Sequence, residues 1–232
     1  MDDLRFDGVA LRQGGFELLA DCALHADRVT ALIGASGSGK STLLAAVAGF
    51  LAPAKGRIRL GDNDLTALPP AARPVSILFQ DQNLFPHLSV ARNVGLGLVP
   101  ALRLTAEQRD ARDAALKRVG LAGMGERRPH ELSGGQQSRA ALARALVSGR
   151  SWLLLDEAFS ALGPALRHEM LDLVVETAAD RGISVVMVTH DPDDARRASQ
   201  ETALIVEGRL HAPRPTADLF ADPPEALRAY LG

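Results

Sequence analysis

The stretch Gly34-Ala35-Ser36-Gly37-Ser38-Gly39-Lys40-Ser41-Thr42 combines residue types and a spacing that can do chemistry. Gly34-x4-Gly39-Lys40-Ser41 is a phosphate-binding pattern. Gly34, Gly37 and Gly39 let the backbone wrap a phosphate with its N–H groups turned inward. Lys40 supplies a point charge for the β- and γ-phosphates, and the Ser41 hydroxyl is the expected Mg²⁺ ligand. Such a loop works only between a strand that delivers it and a helix that follows it. Val29 to Ile33 reads as a short buried strand. Leu43 to Ala48 is apolar at helix-compatible spacing, with Gly49 as its C-cap. The positive end of that helix's dipole adds to the phosphate site.

Two further segments carry chemistry. In Trp152-Leu153-Leu154-Leu155-Asp156-Glu157, four apolar residues make a core strand and the acids emerge at its C-terminal tip. Asp156 there can hold Mg²⁺, usually through water. Glu157 is placed to orient and deprotonate an attacking water. Leu132-Ser133-Gly134-Gly135-Gln136 precedes an Ala/Leu-rich helix expected over Gln137 to Val147. Ser133 is a good N-cap. Gly134 and Gly135 permit close approach of a phosphate to bare backbone N–H groups.

The elements that must position these residues alternate between strand and helix. Leu4 to Val9 and Phe16 to Leu24 read as strands around Gly14-Gly15, and residues 56–60 as another that turns at Gly61-Asp62. They form a small antiparallel sheet. Val75 to Phe79 is a buried strand ending at Gln80. Residues 81–148 have little strand signal. Val90 to Leu98 reads as a short helix, and Thr105-x-x-Gln108 as a capping box opening a helix to about Val119. Beyond residue 150 come a strand at 151–155, a helix from Ala165 to Ala179 bounded by Pro164 and Gly182, and a strand from Ile183 to Val188. A short helix, Pro192 to Ser199, follows. A closing hairpin, Ala203–Val206 with Gly208–Leu210, and a terminal helix, Pro223 to Tyr230, complete the pattern. Strand–helix alternation predicts an α/β fold with a mainly parallel sheet covered on both faces. The 34–41 loop, Asp156 and His190 should then gather beyond the strand C-termini.

Composition limits the partners. The 232 residues are 47% hydrophobic and 23% charged, with a formal net charge of −2. There is no basic excess of the kind that nucleic acid demands. Cys22 is the only cysteine, so neither a disulfide framework nor a cysteine zinc site is available. Met1-Asp2-Asp3-Leu4-Arg5 does not read as a signal peptide, and no apolar run approaches the roughly 20 residues that span a bilayer. Lysine occurs only at positions 40, 55 and 117, which leaves Lys40 alone beside a phosphate motif.

Together, the 34–41 loop, Asp156-Glu157 and Leu132–Gln136 resemble the ATP-binding-cassette (ABC) ATPases, whose signature reads LSGGQ. The resemblance covers essentially the whole chain. It implies a P-loop NTPase (RecA-like) core with a small antiparallel β part and a helical insert. One cassette would span 1–232, with 1–80 and 149–232 as the nucleotide core and 81–148 as a helical subdomain. It implies ATP and Mg²⁺ as cofactors. Gln80 matches the glutamine that senses Mg²⁺ and the attacking water, and His190 the switch histidine at the γ-phosphate. It also implies a head-to-tail homodimer, in which Ser133 and Gly135 of one copy close over the ATP held by Lys40 of the other.

Residues 80–90 resemble bacterial importer ATPases, with Leu84, Phe85 and Leu88 offering an apolar pocket to a transmembrane permease subunit. Pro74–Gln80, Asn83–Phe85 and Asn93–Leu98 look like the ATP-binding subunits of thiamine importers. Peripheral attachment at the cytoplasmic face of the cell membrane is implied, with a periplasmic solute-binding protein as an indirect partner and no nucleic acid. The rival readings are an importer of iron, polyamine or a sulfate-like solute, a soluble cassette ATPase acting on nucleic acid, and a non-hydrolysing nucleotide switch. Two positions depart from the family. Gly163 follows Ser160-Ala161-Leu162 where an aspartate is usual. Residues 9–14 lack the usual adenine-stacking aromatic, so Leu11 or a displaced Phe16 is left to meet the base.

Overall fold

Five apolar runs have no side that can face water, and they lie next to one another in a parallel sheet. In chain order they are β3 (Val29–Ile33), β6 (Val75–Phe79), β7 (Trp152–Asp156), β8 (Ser184–Val188) and β9 (Glu201–Val206). Their spatial order is β6-β7-β8-β3-β9. A computed structural model describes residues 2–81 and 83–231. Gln82, inside the importer-like stretch, Met1 and Gly232 lie outside the described residues, as do the side chains of Tyr230 and Leu231.

The register sets the functional edge. Phe79 pairs with Asp156, Asp156 with Val188, and Leu32 with Val188. The strands therefore end level, and Gln80, Glu157, Thr189 and Gly34 all leave the sheet on one side. This is the carboxyl edge where open parallel sheets bind ligands.

The antiparallel part is β1 (Leu4–Gln13), β2 (Phe16–Leu24), β4 (Lys55–Leu60) and β5 (Asn63–Asp64). β1 runs four residues past the expected Val9, because Gly8 at φ 57° makes a bulge instead of an end. β10 (Arg209–Leu210) pairs antiparallel with β9 and parallel with β2, and so joins both parts into one sheet. A two-residue strand, β11 (Arg214–Pro215), adds to β9.

Helices cover both faces. α1 (Lys40–Ala48) packs Leu43, Leu44 and Val47 against Leu11, Leu18, Trp152 and Leu154. The opposite face buries Leu153, Leu155 and Met187 under Met170, Leu171 and Val174 of α5 (Pro164–Arg181). The period-two alternation along β7 divides its residues between the two cores. α6 (Pro192–Ala198), α7 (Thr216–Ala221) and α8 (Glu225–Leu231) complete that second layer. A third core joins α2 (Val90–Gly95), α3 (Ala106–Arg118) and α4 (Gly134–Val147) through Val90, Val94, Leu116, Val119 and Ala140. The capping box at Thr105 and Gln108 is present.

Two helix boundaries differ from expectation. α2 stops at Gly95 instead of Leu98, because Gly97 sits against the Arg144 carbonyl with no room for a side chain. α4 begins at Gly134, not Gln137. Ser133 and Gln136 exchange side-chain bonds with each other's backbone N–H, at 3.3 and 3.0 Å, and this capping box draws both glycines into the first turn.

Candidate nucleotide site

Lys40 is the first residue of α1, and Gly39 before it takes φ 101°. A side chain there would be strained and would meet the Phe16 ring. Gly34 is needed for a different reason. A Cβ would lie 2.6 Å from the Ile205 carbonyl oxygen. Ala35, Ser36 and Gly37 form the exposed rim, and Thr42 is half-buried one turn behind. Ser38 N–H donates to Ala35 O at 3.1 Å and closes the loop.

The Lys40 ammonium is buried and donates to Gly34 O at 2.8 Å and Ala35 O at 2.9 Å. It stretches back over the loop it follows. Burial lowers its pKa, against the opposing charges of Glu157 and Asp156.

Ser41 Oγ donates to Asp156 Oδ1 at 2.8 Å, which brings the loop to the tip of β7. Burial pushes the Asp156 carboxyl above its ordinary value. The Ser41 bond pulls it back, and the neighbouring Glu157 charge adds to the rise. A desolvated carboxylate beside a hydroxyl favours a hard cation. Mg²⁺ fits this pair, since it is usually held by one or two carboxylates plus phosphate oxygens instead of an all-protein cage. Gln80, exposed one residue past β6, flanks the same tip through the Phe79–Asp156 register.

Glu157 takes φ 49°, a conformation that costs a non-glycine residue about 1 kcal/mol. The Ser160 hydroxyl and N–H both hold its carbonyl, at 2.9 and 3.1 Å. The bend aims its side chain at His190, with Oε2 and Nδ1 3.3 Å apart. Strain has been placed on the residue proposed as the base.

Ser133, Gly134, Gly135 and Gln136 stand apart, on the helical part. Ser133 and Gly134 are exposed, but Gly135 is buried, and Leu166 of α5 fills the space of its missing side chain at 2.4 Å. The sequence reading gave both glycines to a phosphate, but the bareness of Gly135 serves the contact between α4 and α5. The apolar pocket expected from Leu84, Phe85 and Leu88 is also different. Leu84 packs inward, and Phe85 projects with 46% of its surface exposed. Buried Asn93 holds that projection by accepting from Phe85 N–H and donating to Phe85 O. Leu11 is fully buried and cannot reach a ligand, whereas Phe16 lies beside Gly39.

Gly163 is the N-cap of α5, at φ −62°, with open space around it and no side-chain cap. Gly163→Asp therefore fits without strain. It should raise stability by a few tenths of a kcal/mol, read as an unchanged or slightly higher Tm. A Tm several degrees lower would contradict this geometry.

Sequence reasoning missed a cluster of Arg167, Thr189, Asp191 and Asp194 beside His190. It also missed Arg73, a buried guanidinium that donates to Ala46 O and Val47 O at the end of α1. Both link distant elements, and neither leaves a period or spacing in the chain.

Inward amides, one ammonium, a hydroxyl–carboxylate pair and a glutamate–histidine pair on one edge suit a polyphosphate with its cation. That arrangement on this sheet defines a P-loop nucleotide-binding cassette. Known proteins narrow the class. The family model for ABC transporters matches residues 20–160. The chain is 62% identical to the "Thiamine import ATP-binding protein" of Cereibacter sphaeroides, over 99% of both chains. It is 53% identical to the protein of that name from Ruegeria sp. strain TM1040, again over 99% of both. The solved ADP conformation of an ATP-binding cassette of an ABC transporter superposes with a TM-score of 0.88 at 25% identity, covering 100% of this chain and 99% of that one. The chain belongs to the ABC transporter family.

Proposed function

We propose that this chain is the ATP-hydrolysing subunit of a bacterial importer and that the imported solute is thiamine. The observation that carries the cargo is the end-to-end 62% identity to a relative named for thiamine import. The hydrolytic role rests on the Lys40–Ser41–Asp156–Glu157–His190 assembly.

Gly34–Thr42 binds the triphosphate, with Lys40 on the β- and γ-phosphates. Ser41, Asp156 and Gln80 would hold Mg²⁺, which supplies charge neutralisation at the phosphates. Glu157 accepts a proton from the attacking water, and His190 steadies the γ-phosphate. Two copies close head to tail, and Ser133–Gln136 of one completes the site of the other. Closure moves a transmembrane permease seated against Phe85, on the 81–148 side of the single cassette. Among the described residues no helix is long and apolar enough to cross a membrane. In this reading the subunit is peripheral at the cytoplasmic face, and a periplasmic binding protein delivers solute.

Phe16 is the residue placed to stack on adenine. Phe16→Ala should weaken ATP binding about tenfold while kcat is retained, since base stacking contributes on the order of 1–3 kcal/mol. Unchanged affinity by calorimetry would exclude Phe16 from base recognition.

The test of function is reconstitution with the permease in proteoliposomes and uptake of labelled thiamine on addition of Mg·ATP. Uptake of iron, polyamine or a sulfate-like anion, with thiamine inert, would overturn the cargo. Hydrolysis driven by DNA or RNA without a permease would overturn the importer.

A further inference from the structure

The cluster beside His190 ties two loops of the nucleotide site together. Arg167 lies one turn into α5, and its N–H donates to Gly163 O at 2.9 Å. It therefore belongs to the segment that leaves Glu157. Its guanidinium crosses to the turn between β8 and α6. Nη2 donates to Asp191 Oδ2, and Nε faces Asp194 Oδ1 at 3.2 Å. Thr189 Oγ1 donates to Asp194 Oδ2 at 2.9 Å and accepts from Asp191 N–H at 3.0 Å. Thr189 and Asp191 flank His190, so both chain neighbours of the histidine are fixed.

The cluster is shielded from water. The Arg167 and Asp194 side chains are 14% and 7% exposed. Desolvation strengthens such a pair only when its geometry is held, and here three elements hold it. Burial alone would raise Asp191, but the Asp193 amide and Arg167 outweigh it and keep the carboxyl below its ordinary value. Burial pushes Asp194 up, and Thr189 and Arg167 offset that only in part. A cavity of about 20 Å³ lies among Glu157, Ser160, Arg167, His190 and Asp194, so the histidine loop has little room to shift.

We infer that Arg167 is a positioning residue for hydrolysis, which sets His190 against Glu157 by clamping the Thr189–Asp191 turn. The inference rests on the roles proposed above for Glu157 and His190. Arginine suits the task because its planar fork reaches two carboxylates at once, whereas a lysine would engage one. A link from α5 to the histidine turn also needs no side chain at Gly163.

The experiment measures kcat and KM for Mg·ATP, with single-turnover phosphate release to resolve slow rates. The variants are Arg167→Lys and the charge-balanced Arg167→Met/Asp194→Asn, each with and without His190→Ala. Folding is checked by thermal unfolding, and where the double variant fails to fold, Arg167→Lys alone decides. The expected result is a kcat about tenfold lower with KM within about twofold. In the His190→Ala background the Arg167 change should cost less than about twofold, because the positioned group is gone. Equal losses in both backgrounds, a loss confined to KM, or wild-type kcat in Arg167→Lys would overturn the positioning role. Unchanged turnover in His190→Ala alone would instead remove the histidine's proposed role, and its positioning with it.

Discussion

Glu157→Gln should bind ATP as the parent does and hydrolyse it about a hundredfold to ten-thousandfold more slowly, the range of a lost general base. The substitution preserves shape and leaves Lys40 and Ser41 untouched, so the phosphate contacts survive. The φ 49° bend and both Ser160 bonds to the Glu157 carbonyl are backbone features and survive as well. What disappears is the carboxylate facing His190 Nδ1 at 3.3 Å, and with it the acceptor for the water's proton. A cassette that binds but cannot cleave should then stay closed on its partner copy. Size-exclusion chromatography with Mg·ATP should reveal a species of twice the mass, and a phosphate-release assay should be nearly flat. Turnover within a few-fold of the parent would remove Glu157 from the chemistry.

The chemistry was more legible in the chain than the packing. A loop such as Gly34–Ser41 must have a strand before it and a helix after it, so motif and elements predict each other, and β3 and α1 stand where that logic puts them. β6 and β7 were readable because a short apolar run ended by a polar residue has few other fates. Thr105 and Ser133 advertised their helices through capping boxes. Gly134 and Gly135 misled because glycine propensity argues for loop, while the cap that overrides it depends on side-chain geometry.

Tertiary relations were not legible. β10 is two residues long and joins the two halves of the sheet through a pairing with β2 nearly 190 positions earlier. Arg73 and Arg167 read as ordinary surface arginines, and only the fold reveals what they hold. Phe85 read as pocket lining because hydrophobicity gives burial no direction. Its exposure follows from Asn93, which grips the backbone of that loop from below.

Lys40→Ala should lose about a hundredfold or more in ATP affinity. A charge-assisted bond to phosphate is worth roughly 1.5–3 kcal/mol, and the upper end of that range is two decades in Kd. The ammonium is already desolvated, with two carbonyl oxygens as partners and its pKa lowered by burial. Such a cation gains more from an arriving polyanion than a hydrated one would, because little water is left to strip away. The same two bonds also brace the empty loop, so the variant could fail through loop collapse instead of lost charge. Thermal unfolding separates the two causes. Without nucleotide, loss of charge alone leaves Tm close to the parent value, and collapse lowers it. With saturating ATP the parent should gain about 2.7 kcal/mol at a hundred times Kd, and the variant almost nothing. A variant that keeps the ATP-induced rise in Tm would show that the amides of Gly34–Gly39 grip the triphosphate without Lys40.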